Sequence, residues 1–277
     1  FVVGLVMGLV RYGIALFPRL ALRIDAKKEA AVLAFAAAVF YTALAGAPVP
    51  AQRACAMACF ALIAVLLDRT ALSLRLVAWS AVIVLLAAPE SLTGASFQMS
   101  FAAVIALIAA WEAAAGWRRR LHDRADRSSH RWLWRVLAAI DTNLATTLIA
   151  SAATGAFAAY HFNRLSLLGV AANLLGVPLT GFWIMPWGLL AMLLMPLGLE
   201  GLALVPMGWG VEGLNAIARH VAGWPDAATL VPSLPGASLW LLTVGGLWLC
   251  FWRRRWRFAG LPIIAVGLLL PPHAAPD

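Results

Sequence analysis

The sequence predicts an all-α fold, a polytopic transmembrane bundle of about ten helical spans with a broken helix around Pro178. Three observations predict it. Hydrophobic residues make up 63% of the chain and charged residues 12%, about half the charged share of a soluble domain. Apolar runs recur along all 277 residues. Finally, Asn173-Leu174-Leu175-Gly176-Val177-Pro178-Leu179 sets an amide and a proline inside the long apolar run Leu165–Met195. Lipid cannot hydrogen-bond freed backbone groups, so a break at that depth must be buried in protein or line a wet cavity.

The first expected span, 1–17, carries Gly4 and Gly8 in a spacing that favours close helix packing, and an Arg11 placed to snorkel. It lacks the basic start and small-residue cleavage site of a signal peptide, so the chain is expected to be a piece of something longer. Spans 30–47 and 52–67 flank Pro48-Val49-Pro50, whose fixed φ angles make an extended lead-in with the helix starting after Pro50. Gln52 and Arg53 then stand at the mouth of the third span, where Arg53 either attracts an anion or snorkels to headgroups. Span 71–88 follows. The fifth, 97–116, opens on Ser96-Phe97-Gln98-Met99-Ser100-Phe101, with Ser96 as a helix cap and Gln98 and Ser100 two apart on different faces.

The sixth span, 136–160, carries Asn143, Thr147, Ser151 and Thr154 on one stripe, which either lines a polar path or packs with hydroxyls bonded to their own backbone. Asp141, near its start, is expected to pair with Arg135 or another nearby Arg. Span 165–195 holds Asn173 and the break at Pro178, with Trp183 and Trp187 close by. Spans 199–222, 237–252 and 258–271 complete the set, and residues 1–277 form a single transmembrane domain.

Basic residues orient the bundle. Arg19, Arg23, Lys27 and Lys28, then Arg69 and Arg75, then seven Arg in the loop Trp117–Arg135, then Arg253, Arg254, Arg255 and Arg257 fall in alternate loops. They are 17 of the 21 Lys and Arg, and the positive-inside rule makes their side cytoplasmic. Both ends of the chain then face outward. The net charge of +9 follows from these loops and does not call for a nucleic-acid partner. Cys55, Cys59 and Cys250 lie in apolar spans and read as packing residues.

No GxxxxGK[ST], HExxH or GxSxG occurs, and the five His are scattered. No cofactor, metal or enzymatic activity is expected, and no ATP-driven transport by this chain alone.

Pro50-Ala51-Gln52-Arg53-Ala54, Arg75 with Pro89, Phe97-Gln98-Met99-Ser100-Phe101-Ala102-Ala103, Tyr160-His161-Phe162 and the Asn173–Leu179 block occur in that order. Together they resemble the competence domain of the ComEC family of DNA-internalisation proteins, over roughly residues 1–235. The resemblance implies a channel in the bacterial inner membrane that passes single-stranded DNA into the cytoplasm during natural transformation. It also implies an extracellular DNA receptor, a cytosolic ATPase partner and flanking extracellular domains not in this sequence; a homo-oligomer is open. The family's Ser-Gly-Leu-His segment would end where this chain begins.

A strand with one negative charge per nucleotide needs a wet, polar route, so Gln52, Arg53, Gln98, Ser100, Asn143, Ser151, Asn173 and Pro178 are the candidate path residues. The alternative is a secondary transporter for a small solute or ion, which fits the broken helix but needs a buried acid, with Asp141 and Glu112 the acids of the sixth and fifth spans. A lipid-acting enzyme and a helix-packing scaffold are further rivals.

Overall fold

The computed structural model describes residues 2–17, 25–67, 73–126, 131–166, 168–225, 227, 229–252 and 254–271. Arg19, Arg23, Arg69, Arg127 and Arg253, which carry part of the charge asymmetry, lie outside the described residues. The chain divides into two compact units, Phe1–Phe101 and Ala102–Asp277.

The first unit contains α1 (Val2–Ala15), α2 (Ala26–Leu44), α3 (Val49–Leu66), α4 (Leu74–Ala87), a 3-10 turn (Pro89–Thr93) and the start of α5 (Ala95–Asp126). The Asp25 carboxylate accepts the Lys27 and Lys28 backbone N–H groups, which fixes the start of α2 ahead of the apolar run. Ala30, Ala31, Ala34 and Ala38 are buried at helical spacing, and Ala31 and Ala34 join Leu62 of α3 and Val3, Val6 and Met7 of α1. Alanine is the small residue that lets these helices close up. Gly4 and Gly8 are not: both are exposed, and a Cβ on either meets nothing within 4 Å among the described residues. Between α2 and α3 the chain turns through Gly46 and Ala47, both at positive φ, and α3 takes Pro50 into its first turn, where the missing N–H costs nothing.

The second unit holds the rest of α5, then α6 (Arg131–Phe162), α7 (Gly169–Leu179), α8 (Met185–Leu194), α9 (Gly201–Ala222), α10 (Gly236–Phe251) and α11 (Gly260–Leu269). The expected basic loop Trp117–Arg135 is helical up to Asp126 and again from Arg131. Leu, Ala and Arg are strong helix formers, so a helix leaving an apolar layer continues into water as a charged one. Asp141 is exposed and pairs with no Arg among the described residues, because Arg135 is six positions away and lies on another face of α6. Asn163 ends α6 at φ 54°, and its carbonyl accepts Val231 N–H at 3.0 Å. Two-residue strands follow, β1 (Arg164–Leu165) antiparallel to β2 (Thr229–Leu230).

The break expected around Pro178 takes another form. α7 runs through Pro178, a π-helical turn spans Thr180–Ile184, and α8 continues with Pro186 in its first turn. Leu179, Thr180, Ile184 and Met185 all keep right-handed helical angles, so the backbone is rewired by one residue and not unwound. The close pass of α9 permits this. At Gly210 a Cβ would come 2.6 Å from Trp183 Cδ1 and 2.8 Å from Ile184 Cγ1, and the Trp183 indole N–H donates to the Pro206 carbonyl at 2.9 Å.

α10 and α11 form the tightest glycine contact. A Cβ on Gly245 would sit 2.9 Å from the Gly260 carbonyl oxygen, and one on Gly260 would sit 2.5 Å from that of Gly245. Ser238, Leu242 and Gly245, all buried, make the facing stripe on α10.

Among the described residues, three helical stretches are long and apolar enough to cross a membrane: Ala95–Trp117, Trp132–Phe162 and Gly169–Leu197. Only 17%, 6% and 11% of their apolar windows are buried, so most residues in these windows keep some apolar surface exposed. Phe182, Leu86, Leu193 and Leu269 are each more than 70% exposed. Apolar surface on this scale is incompatible with water and suits hydrocarbon.

Candidate functional site

The candidate residues divide between the units. In the first, Gln52 is exposed and its amide N–H donates to the Ala47 carbonyl at 2.7 Å, closing the turn that holds Ala47 at positive φ. Arg53, one residue and about 100° on around the helix, is turned inward: it is 5% exposed. Its Nη2–H donates to Ser96 Oγ at 2.6 Å, while Nε and Nη1 are buried with no partner among the described residues. Arg53 therefore does not snorkel. Ser96 does not act as the helix cap either; α5 already begins at Ala95, and the exposed Ser96 hydroxyl accepts from the guanidinium. Gln98 donates to the Leu92 carbonyl at 3.0 Å, bracing the 3-10 turn against α5, and Ser100 is half-buried.

In the second unit, Asn143 is half-buried on α6, and its Nδ2–H donates to the Leu174 carbonyl of α7 at 3.1 Å. Leu174 lies four residues before Pro178, so this is the carbonyl that proline's missing N–H leaves free. Asn143 supplies the donor that Pro178 lacks, which is why α7 passes through the proline intact. On the same stripe Thr147 is buried, Ser151 is half-buried, and Thr154 spends its hydroxyl on the Ala150 carbonyl at 2.8 Å. The hydroxyl half of the stripe thus includes the backbone bonding of an ordinary packed helix.

Asn173 differs from all of these. It is exposed, and no group among the described residues bonds to its amide. A few residues on, Gly176 is buried where a Cβ would come 2.9 Å from Leu214 Cδ1 of α9. Trp183 and Trp187 pack with ring centres 6.2 Å apart, and the Trp183 indole is committed to Pro206. An apolar groove of about 410 Å³ runs between α7 and α9, lined by Ala171, Leu175, Ile217, His220 and Trp224 among others; none of the candidate polar residues lines it. Among the described residues, no three His, Cys, Asp or Glu side chains gather as a metal would need.

Sequence reading missed three of these contacts: Arg53 to Ser96, Asn143 to Leu174 and Trp183 to Pro206. The second had a usable signal. A proline inside an apolar helix announces an orphan carbonyl four residues back, and an amide on a neighbouring span is a natural donor.

The helices, their outward apolar surface and the polar groups held between them define an α-helical membrane protein. A family model described as competence protein matches residues 1–256, and the chain belongs to that family, as a ComEC-type competence domain. Membership gives it a role in DNA uptake. Comparison with curated proteins and with solved structures finds no match.

Proposed function

We propose that the chain is the membrane-embedded part of a conduit that passes single-stranded DNA across the bacterial inner membrane into the cytoplasm. Both of its ends face outward, about ten helices cross the bilayer, and a cytosolic ATPase and an extracellular DNA receptor complete the machine. Asn173 carries the reading. A side-chain amide with no bond in hydrocarbon costs roughly 2–7 kcal/mol. Asn173 sits exposed on a helix of membrane-spanning length without such a bond. Its face therefore meets water or a polar strand, not acyl chains. The acids a proton- or sodium-coupled transporter would keep buried, Asp141 and Glu112, are both exposed, which favours the conduit over the small-solute transporter.

The reading is tested in the full-length protein in a transformable host. Asn173→Leu is expected to lower uptake of labelled DNA about tenfold, equivalent to about 1.4 kcal/mol of added barrier. Asn173→Gln should retain most of it. Parental uptake with the Leu variant inserted at the parental level would count against a path along α7.

A further inference from the structure

The geometry points to a phosphate site built from Arg53 and the N-terminus of α5, taking one backbone phosphate of a DNA strand. This rests on the conduit reading and names where the strand is first held. Two independent features meet there. One is the start of a 32-residue helix, which carries partial positive charge and N–H groups with no intrahelical acceptor. The other is the guanidinium of Arg53, a residue 5% exposed, which among the described residues is bonded only to Ser96 Oγ and leaves the buried Nε and Nη1 without a partner. Ser91 Oγ, in the 3-10 turn leading into α5, is likewise buried with no partner among the described residues.

A buried cation with a single neutral hydroxyl for company is unfavourable unless a counter-charge arrives. Among the described residues no carboxylate supplies one. Ser96 is itself exposed, so the acceptor in contact with the guanidinium lies at the surface. Its oxygen occupies a position that a phosphate oxygen would take. An incoming phosphodiester replaces Ser96 as acceptor, meets the remaining Arg53 N–H groups, and gains charge-assisted bonds that the hydroxyl cannot match. A carboxylate partner from the chain would have filled the site permanently; a hydroxyl leaves it exchangeable, as a passing strand requires.

The test uses the full-length protein in nanodiscs of phosphatidylcholine, with a fluorescent 20-nucleotide thymidine strand as probe and its uncharged methylphosphonate counterpart as control. The parent should bind the phosphodiester strand and not the methylphosphonate one. Arg53→Gln should weaken binding about tenfold, as loss of a charge-assisted bond does. Arg53→Lys should fall between, keeping the charge without the several donors. The melting temperature of Arg53→Gln should equal or exceed the parent's, because an unpaired buried charge has gone; a lower one would assign Arg53 to packing and overturn the site. Equal strand binding by parent and Gln variant would overturn the site and leave the conduit standing. No strand binding by the parent would overturn the conduit. In that case Arg53-dependent retention of phosphatidylglycerol would assign the site to a lipid headgroup and overturn the strand assignment.

Discussion

Gly245→Val is expected to separate α10 from α11, while Gly246→Val, one residue away, leaves the protein unchanged. The contrast follows from what each new side chain meets. At Gly245 a Cβ would lie 2.7 Å from Ile264 Cγ1, 2.9 Å from the Gly260 carbonyl oxygen and 3.1 Å from the Ile264 nitrogen. Two of those three atoms are backbone, so no rotamer change relieves the clash. At Gly246 nothing among the described residues lies within 4 Å. Overpacking a fixed contact costs about 1–3 kcal/mol and sometimes more, and a backbone-on-backbone crossing belongs at the upper end. Between helices in lipid, close packing of small residues also supplies much of the attraction, so the variant loses the association as well as gaining the clash. Thermal unfolding in detergent, with protease cleavage near Arg254 and Arg255 as a second readout, checks this. Equal melting temperatures for the two variants would contradict it.

Asn143→Leu is expected to destabilise the second unit by about 1 kcal/mol, the cost of leaving a part-buried acceptor unmet. The informative experiment is the cycle with Pro178→Ala. If Asn143 stands in for the absent proline N–H, alanine at 178 restores the ordinary helical donor to the Leu174 carbonyl. Asn143→Leu in that background should then cost little, giving a coupling of about 1 kcal/mol or more between residues on different helices. Additive effects would mean that the 3.1 Å bond contributes nothing specific to the passage through Pro178.

Much of the architecture was legible in the sequence. Ten apolar segments were expected, and among the described residues each is helical in the same order, the segment 165–195 as α7 and α8 joined through the π-helical turn, because hydrophobic runs of that length leave the backbone few alternatives to bonding itself. What misled was the use of charge as a boundary. The run after Trp117 looks like a loop by hydropathy, yet α5 continues to Asp126, since helix propensity does not end where lipid does. Glycine spacing misled as well. Gly4 and Gly8 carry the familiar pattern but face open space, while the working contacts are Gly210, Gly245 and Gly260, whose partners are far along the chain or across a turn. Side-chain bonds were the least legible. Arg53 and Ser96 are 43 residues apart and Asn143 and Leu174 are 31 apart, and only the fold says which amide meets which carbonyl.

The central claim, that amide and hydroxyl positions on α6 and α7 border a wet passage, is tested most directly by thiol accessibility. In full-length protein with Cys55, Cys59 and Cys250 replaced by Ala, single cysteines are placed at Asn173, at Ser151 and at Leu193, the last 73% exposed on an apolar face. The proteins are treated in intact membranes with a membrane-impermeant thiol reagent, with and without excess single-stranded DNA. The account predicts that Asn173→Cys and Ser151→Cys react and are protected by the strand, while Leu193→Cys stays unreactive. Cysteines at 173 and 151 as inert as the one at 193 would contradict it.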